Sequence, residues 1–230
     1  MSVATSEQRP VIAVTGLAFE ARIAAGPGVR TIAGGGDRQR LSSALEIEFA
    51  RGATGLLSFG VAGGLVSGAA PGTWIVADTV VTSSGRWQAD IAWTDSLARR
   101  LPDALRGAVA GSDDILAFAA EKHALHATSG ACAMDMESHV VAAFAAAHGV
   151  PFAVFRVIAD PVGGGLAPAA TKGMRPDGTI DQWAVLGALV RAPAQLPLLM
   201  RNALDARAAQ RELSRGRRLL GRGLGYPDFG

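Results

Sequence analysis

Apolar and polar positions along the chain alternate in two rhythms. Short apolar, β-branched runs fall at 11–15, around 29–33, at 55–60, 73–82 and 152–158, each bounded by glycine, proline or small polar residues. Runs of this length and composition predict strands, and runs without an internal polar beat predict strands buried on both faces. Between them lie mixed stretches that predict helices at 38–51, 97–109, 121–128 and 137–148, with further helices at about 181–191 and 198–220. Strands separated by helices predict an α/β fold. The polar and aromatic stretch 83–95 reads as a loop over a pocket, with Trp87 and Trp93 as lining candidates.

The most informative stretch runs from Ala131 to Asp160. Arg156 alone interrupts the apolar run 152–158, and Asp160 stands just past its end. Ligands in open α/β sheets collect at the carboxyl ends of strands, so Asp160 occupies a catalytic acid's place. Glu137 opens the preceding helix and puts a second carboxylate within reach of the same pocket. Glu20 and Arg22 follow the strand 11–15 in the same way. On residues alone, Asp160 also suits a turn aspartate, Glu137 a partner for Arg156, and Glu20 a solvated helix acid.

Two glycine-rich segments add candidates. Gly34, Gly35 and Gly36 precede a helix containing Arg38 and Arg40, and with Arg22 they form a candidate phosphate site through exposed backbone N–H groups. Val61, Ala62 and Gly63 follow a strand and let backbone press against a flat ligand.

A hydrophobic fraction of 49% with 18% charged residues excludes wholesale disorder and suits one domain of 230 residues with a C-terminal appendage. The division falls at 1–192 and 193–230. A formal charge of +2 conceals an asymmetry, because seven arginines between 201 and 222 face only Asp205 and Glu212. That basic, leucine-containing segment, 198–222, suits either contact with an anionic membrane surface or a C-terminal helix packed on the domain. Nucleic acid is disfavoured, since Tyr226 and Phe229 are the segment's only aromatics and do not interleave with the arginines. No apolar stretch predicts a membrane span, and the first ten residues lack a basic n-region, so cytoplasmic residence is expected, at most peripheral to the inner face of the membrane. His123 and His126 share a helix face without a third ligand, so no metal is expected; Cys132 reads as a buried small hydrophobe.

Four segments in order, Gly16-Leu17-Ala18-Phe19-Glu20, Ser58 to Leu65, Met134-Asp135-Met136-Glu137 and Arg156-Val157-Ile158-Ala159-Asp160, resemble the purine nucleoside phosphorylase and methylthioadenosine nucleosidase superfamily. The resemblance implies a three-layer α/β/α sandwich around a mixed sheet and cleavage of an N-glycosidic bond, with no cofactor beyond phosphate in a phosphorolytic member. It implies that Asp160 protonates the departing purine and Glu20 orients water. Glu137 would hold the ribose hydroxyls beside Met136, Val61, Ala62 and Gly63 would flank sugar and base, and Ile115 and Leu116 would meet the base. Ala159 stands where a hydroxyl residue commonly precedes the acid. Residues 16–24 and 135–139 and the basic tail are most similar to the hopanoid-associated phosphorylases, which implies adenosylhopane, a lipid-linked nucleoside, as substrate and release of adenine. A homo-oligomer, a dimer or larger, is also implied. Phosphorolysis and non-catalytic nucleoside binding are the alternatives.

Overall fold

The computed structural model describes residues 9–167 and 191–228. The expected helix at 181–191 lies, except for its last residue, outside them. Among the described residues the order is β1 (Val11–Thr15), α1 (Ala18–Ala24), β2 (Val29–Ala33), α2 (Arg38–Ala50), β3 (Gly55–Gly64), β4 (Trp74–Val81), β5 (Arg86–Gln88) and α3 (Ile91–Arg100). There follow β6 (Leu105–Gly111), α4 (Ala119–Ser129), β7 (Ala133–Asp135), α5 (Ser138–His148), β8 (Phe152–Asp160) and α6 (Leu196–Leu220).

The sheet is mixed. β1 runs parallel to β2 and β3, β3 is parallel to β8, and β8 is antiparallel to β4. β4 continues to β6 in parallel and to β5 as a hairpin. β7 joins β6 to the last two residues of β3, so β3, β8, β4, β6 and β7 form a closed circuit. Successive strand residues point to opposite faces, and each face has its own core. Ile12, Val14, Leu56, Val154 and Ile158 pack with Leu41 and Leu45 of α2 and Val141 and Phe144 of α5. Val11, Ala13, Leu57, Phe155 and Val157 pack with Ala24 of α1, Trp93 and Leu97 of α3, and Leu213 and Leu220 of α6. The result is the expected three-layer α/β/α sandwich.

Two expectations fail. The helix expected at 97–109 stops at Arg100, and Leu105–Gly111 is a strand beside β4. Pro102 disfavours helical backbone at Leu101, which sits at φ −128°, ψ 67°. Gly111 then lets β6 pass α5 closely, because a Cβ there would lie 2.3 Å from His139 Cβ. The loop expected at 83–95 is instead the β4–β5 hairpin and the start of α3, capped by the Asp90 side chain, which accepts from Trp93 N at 2.8 Å. Trp93 is fully buried, its indole N–H donating to Leu224 O at 3.1 Å, and Trp87 packs against the opposite core and borders a cleft beside Arg86, Gln88 and Phe152; neither lines the cavity at the ends of β1, β3, β7 and β8.

The C-terminal segment, set apart in the sequence from residue 193, lies against β8 as part of one helical layer. Gly216 makes this possible, since a Cβ there would stand 2.5 Å from Phe155 Cζ. Trp74 Nε1 donates to Glu212 O at 3.1 Å, and Arg217 Nε to Ala24 O at 2.8 Å. Burying Leu213 and Leu220 contributes about 1.5 to 3 kcal/mol each.

Candidate active site

The chain ends of β1, β3, β7 and β8 open on one cavity. Gly16, Leu17 and Glu20 line it from the turn after β1; Val61, Ala62 and Gly63 from β3; Met134, Asp135, Met136 and Glu137 from β7 and the turn beyond it. Ile115, Leu116, Lys122, Ala159, Asp160 and Leu166 complete the lining. Thus Glu20, Val61, Ala62, Gly63, Ile115, Leu116, Met136, Glu137 and Asp160, dispersed over 141 positions of sequence, share one wall system.

Its charges fall into two groups. The first surrounds Arg156, which is fully buried in the middle of β8. Arg156 lies 3.0 Å from Asp135 Oδ2 through Nε, a charge contact without an in-line hydrogen bond, and 3.2 Å from Glu137 Oε2 through Nη2. It also donates to Ser58 Oγ and to Val61 O at 3.2 Å. Asp135 in turn caps the start of α5, accepting from Glu137 N at 2.9 Å and Ser138 N at 2.7 Å. Glu20, only 1% exposed, turns back over the first turn of α1, where Gly16 N and Leu17 N donate to Oε2 at 2.9 and 2.8 Å and Val61 N donates to Oε1 at 2.8 Å. It is not a solvated helix acid. Glycine is needed at two approaches: a Cβ at Gly60 would come within 2.7 Å of Glu20 Oε1, and one at Gly16 within 2.6 Å of Glu137 Oε1.

Three carboxyl groups around one guanidinium cannot all ionise cheaply in a buried place. Burial pushes Glu137 up to about 7, opposed by Arg156 and reinforced by Asp135 and Glu20. Burial likewise raises Glu20, with Arg156 and its three backbone donors opposing.

The second group is Asp160 and Lys122. Asp160 is the last residue of β8, four residues beyond Arg156, or about 13 Å of strand. Lys122, in the first turn of α4 and fully buried, donates to Asp160 Oδ2 and to Pro161 O at 3.1 Å. Among the described residues Asp160 Oδ1 is buried without a hydrogen-bond partner. Burial raises the Asp160 carboxyl above the ordinary aspartate range, Lys122 opposes, and Asp205 of α6 adds to the rise.

The predicted phosphate site does not assemble. Gly34 N donates to Thr15 O and Gly35 N to Gly16 O, both at 2.8 Å, so these amides are already committed to the turn after β1. Only Gly36 of the six residues lines the cavity; Arg22, Arg38 and Arg40 are exposed, and Arg38 lies 3.4 Å from the exposed Asp113. Sequence reasoning passed over Lys122 and gave no role to Asp135 or Ser58. For Asp135 a signal existed, because an arginine in a doubly buried strand requires buried anions; for Lys122 there was none.

A family model described as the phosphorylase superfamily matches residues 39–184, more than half of the chain. The chain belongs to the phosphorylase superfamily. Solved structures similar to this member share its fold. The 5′-methylthioadenosine/S-adenosylhomocysteine nucleosidase of Helicobacter pylori with butyl-thio-DADMe-Immucillin-A aligns with a TM-score of 0.63 at 15% identity, covering 91% of this chain and 98% of that one. The S-adenosylhomocysteine nucleosidase of Streptococcus pyogenes in complex with 5-methylthiotubericidin gives 0.60 at 14% identity, over 87% and 98% of the two chains. A futalosine hydrolase mutant of Helicobacter pylori gives 0.55 at 17% identity, over 65% and 89%. A search of curated proteins by sequence finds no match. Among the described residues no group of three or more histidine, cysteine, aspartate or glutamate side chains is arranged to hold a metal, and no helix is long and apolar enough to cross a membrane.

Proposed function

We propose that this protein cleaves the N-glycosidic bond of an adenine nucleoside with water as the nucleophile and releases adenine. The observation that carries the reading is one cavity holding both an aspartate with an oxygen unpartnered among the described residues and a separate cluster of carboxyl groups around Arg156. Breaking the bond places positive charge on the sugar and negative charge on the base, so anions near the sugar and an acid near the base lower the barrier. On this reading Asp160 protonates the purine ring nitrogen N7, a step worth roughly 100- to 10,000-fold. Glu137 grips the ribose hydroxyls beside Met136, and Glu20, fixed by three backbone donors, orients the water. Val61, Ala62 and Gly63 flank the sugar, and Ile115 and Leu116 meet the base. The reaction asks for no cofactor or metal. The committed amides of Gly34 and Gly35 favour water over phosphate. The activities of the similar nucleosidases agree with an adenine nucleoside.

Among such nucleosides we favour adenosylhopane, in hopanoid biosynthesis at the cytoplasmic face of a membrane. Support comes from the outer face of α6, where Leu196, Met200 and Leu204 are exposed and Arg207, Arg211, Arg215 and Arg218 continue at spacings of three or four, on the same side of the helix. Asn202, on the opposite side of this helix from those apolar residues, bonds Gly165 O and Ala167 N, on either side of the cavity residue Leu166, so the amino-terminal half of α6 is held beside the cavity wall. Each arginine near an anionic leaflet is worth about 1 kcal/mol. A homo-oligomer without nucleic acid completes the reading.

Incubating the full chain with 5′-methylthioadenosine, S-adenosylhomocysteine and adenosylhopane, with and without phosphate, should release free adenine in both conditions. Strict phosphate dependence with a ribose 1-phosphate product overturns hydrolysis, and binding without cleavage leaves a nucleoside-binding protein. Flotation with anionic liposomes should weaken when Arg207, Arg211 and Arg218 are changed together to Gln. Removing the helix would not serve, because its inner face is core.

A further inference from the structure

We propose that Lys122 is a positioning residue that makes Asp160 a directed acid, fixing which carboxylate oxygen holds the transferable proton and stabilising the carboxylate left when that proton departs. The inference rests on the reading of Asp160 as the group that protonates the base. Of the 22 basic side chains, twenty are arginines; Lys122 is one of two lysines, and it is fully buried. An ammonium in the first turn of α4 opposes the helix dipole and gives up its hydration, so its place is costly unless specific acceptors compensate. Those acceptors all belong to two consecutive residues: Asp160 Oδ2, Pro161 O at 3.1 Å and Asp160 O at 3.5 Å. The three donors of one ammonium therefore fasten the end of β8 and occupy one of the two carboxylate oxygens.

The other oxygen, Oδ1, is buried without a partner among the described residues, and the turn over it is tight, since a Cβ at Gly164 would come within 3.3 Å. With Oδ2 held as an acceptor, Oδ1 is the oxygen that carries the proton. In the reaction the Oδ1 proton passes to a ring nitrogen of the base while the C–N bond breaks and its electron pair leaves with the base. Water adds to the sugar carbon, its released proton goes to Glu20, and solvent exchange returns a proton to Asp160. The Lys122 ammonium faces the carboxylate so formed, and among the described residues Asp205 of α6 opposes it. Removing the ammonium should thus make Asp160 a weaker acid, protonated to higher pH.

The test compares Lys122→Met, Lys122→Arg and Asp160→Asn in the full chain, with adenine release followed across pH. Lys122→Met should lower kcat by about 10- to 100-fold, leave KM within about threefold, and move the alkaline limb of kcat upward. Lys122→Arg should recover part of the rate and return the limb. In a double-mutant cycle the losses from Lys122→Met and Asp160→Asn should fall well short of multiplicative. A folded Lys122→Met protein with unchanged kcat and an unmoved limb overturns the proposal, as do multiplicative losses. If Lys122→Met does not fold, Lys122→Gln is read against the same limits. Full activity of Asp160→Asn would instead remove the acid role on which the proposal rests; an inactive Asp160→Asn beside a normal Lys122→Met would remove the lysine's role alone.

Discussion

Arg156 and Asp160 stand on the same strand and serve the same cavity, yet their surroundings are built in opposite ways. Around Arg156, one guanidinium meets two carboxylates directly, and Glu20 nearby is tied by three backbone donors, so the charges are bound in place on several sides. Around Asp160, one ammonium holds one oxygen and the other has no partner among the described residues. A group held on many sides keeps its geometry, whereas a carboxyl held on one side keeps an oxygen available to give up a proton. On the proposed chemistry the first region fixes the sugar and the water and takes up the water's proton through Glu20, and the second gives its proton to the base in every turnover.

The largest test of that contrast is Asp160→Asn, which keeps size and removes the proton. Adenine release should fall by about 100- to 10,000-fold while nucleoside binding and folding persist; near-native turnover would dissolve the distinction. Breaking the other region should read out chiefly in stability. Arg156→Met leaves Asp135 and Glu137 without their cation and should cost about 3 to 5 kcal/mol in urea unfolding. A loss below about 1 kcal/mol would mean the carboxyl groups already share their protons without it.

The smallest effect is a slope with pH. Glu137 is raised from 4.5 to about 7, so folding favours its protonated form. Its contribution is fully present below pH 4.5, is lost as pH rises through about 7, and is constant beyond. Glu20 and Asp160, raised by burial as well, act in the same direction. Glu137→Gln should therefore flatten, without abolishing, the fall in stability over that interval, as followed by thermal unfolding across pH. An unchanged slope would place the proton elsewhere in the cluster.

Much of this architecture is legible in the sequence. β1 and β2 fall on the residues their β-branched runs predicted, and Phe152–Asp160 is the doubly buried strand that its composition required. Glu20, Glu137 and Asp160 were found from their places near the ends of strands, which is where parallel strands deliver side chains to a ligand. The errors share a cause. A helix was read through 97–109 because apolar spacing alone does not register that β6 is required beside β4 and β7.

The sequence by itself determined the alternation of strand and helix, the superfamily and the acidic residues at the strand ends, because these rest on local periodicity and on motifs within a few residues. Only the tertiary structure decided which charges meet and which amides remain open. Lys122 lies 38 positions from Asp160, and Gly35 N is consumed by Gly16 O across two strands, so neither pairing leaves a mark on its own segment. The same holds for α6: its arginines are plain in the sequence, but that its other face is core follows from Gly216 meeting the ring of Phe155, a contact that long-range packing alone creates.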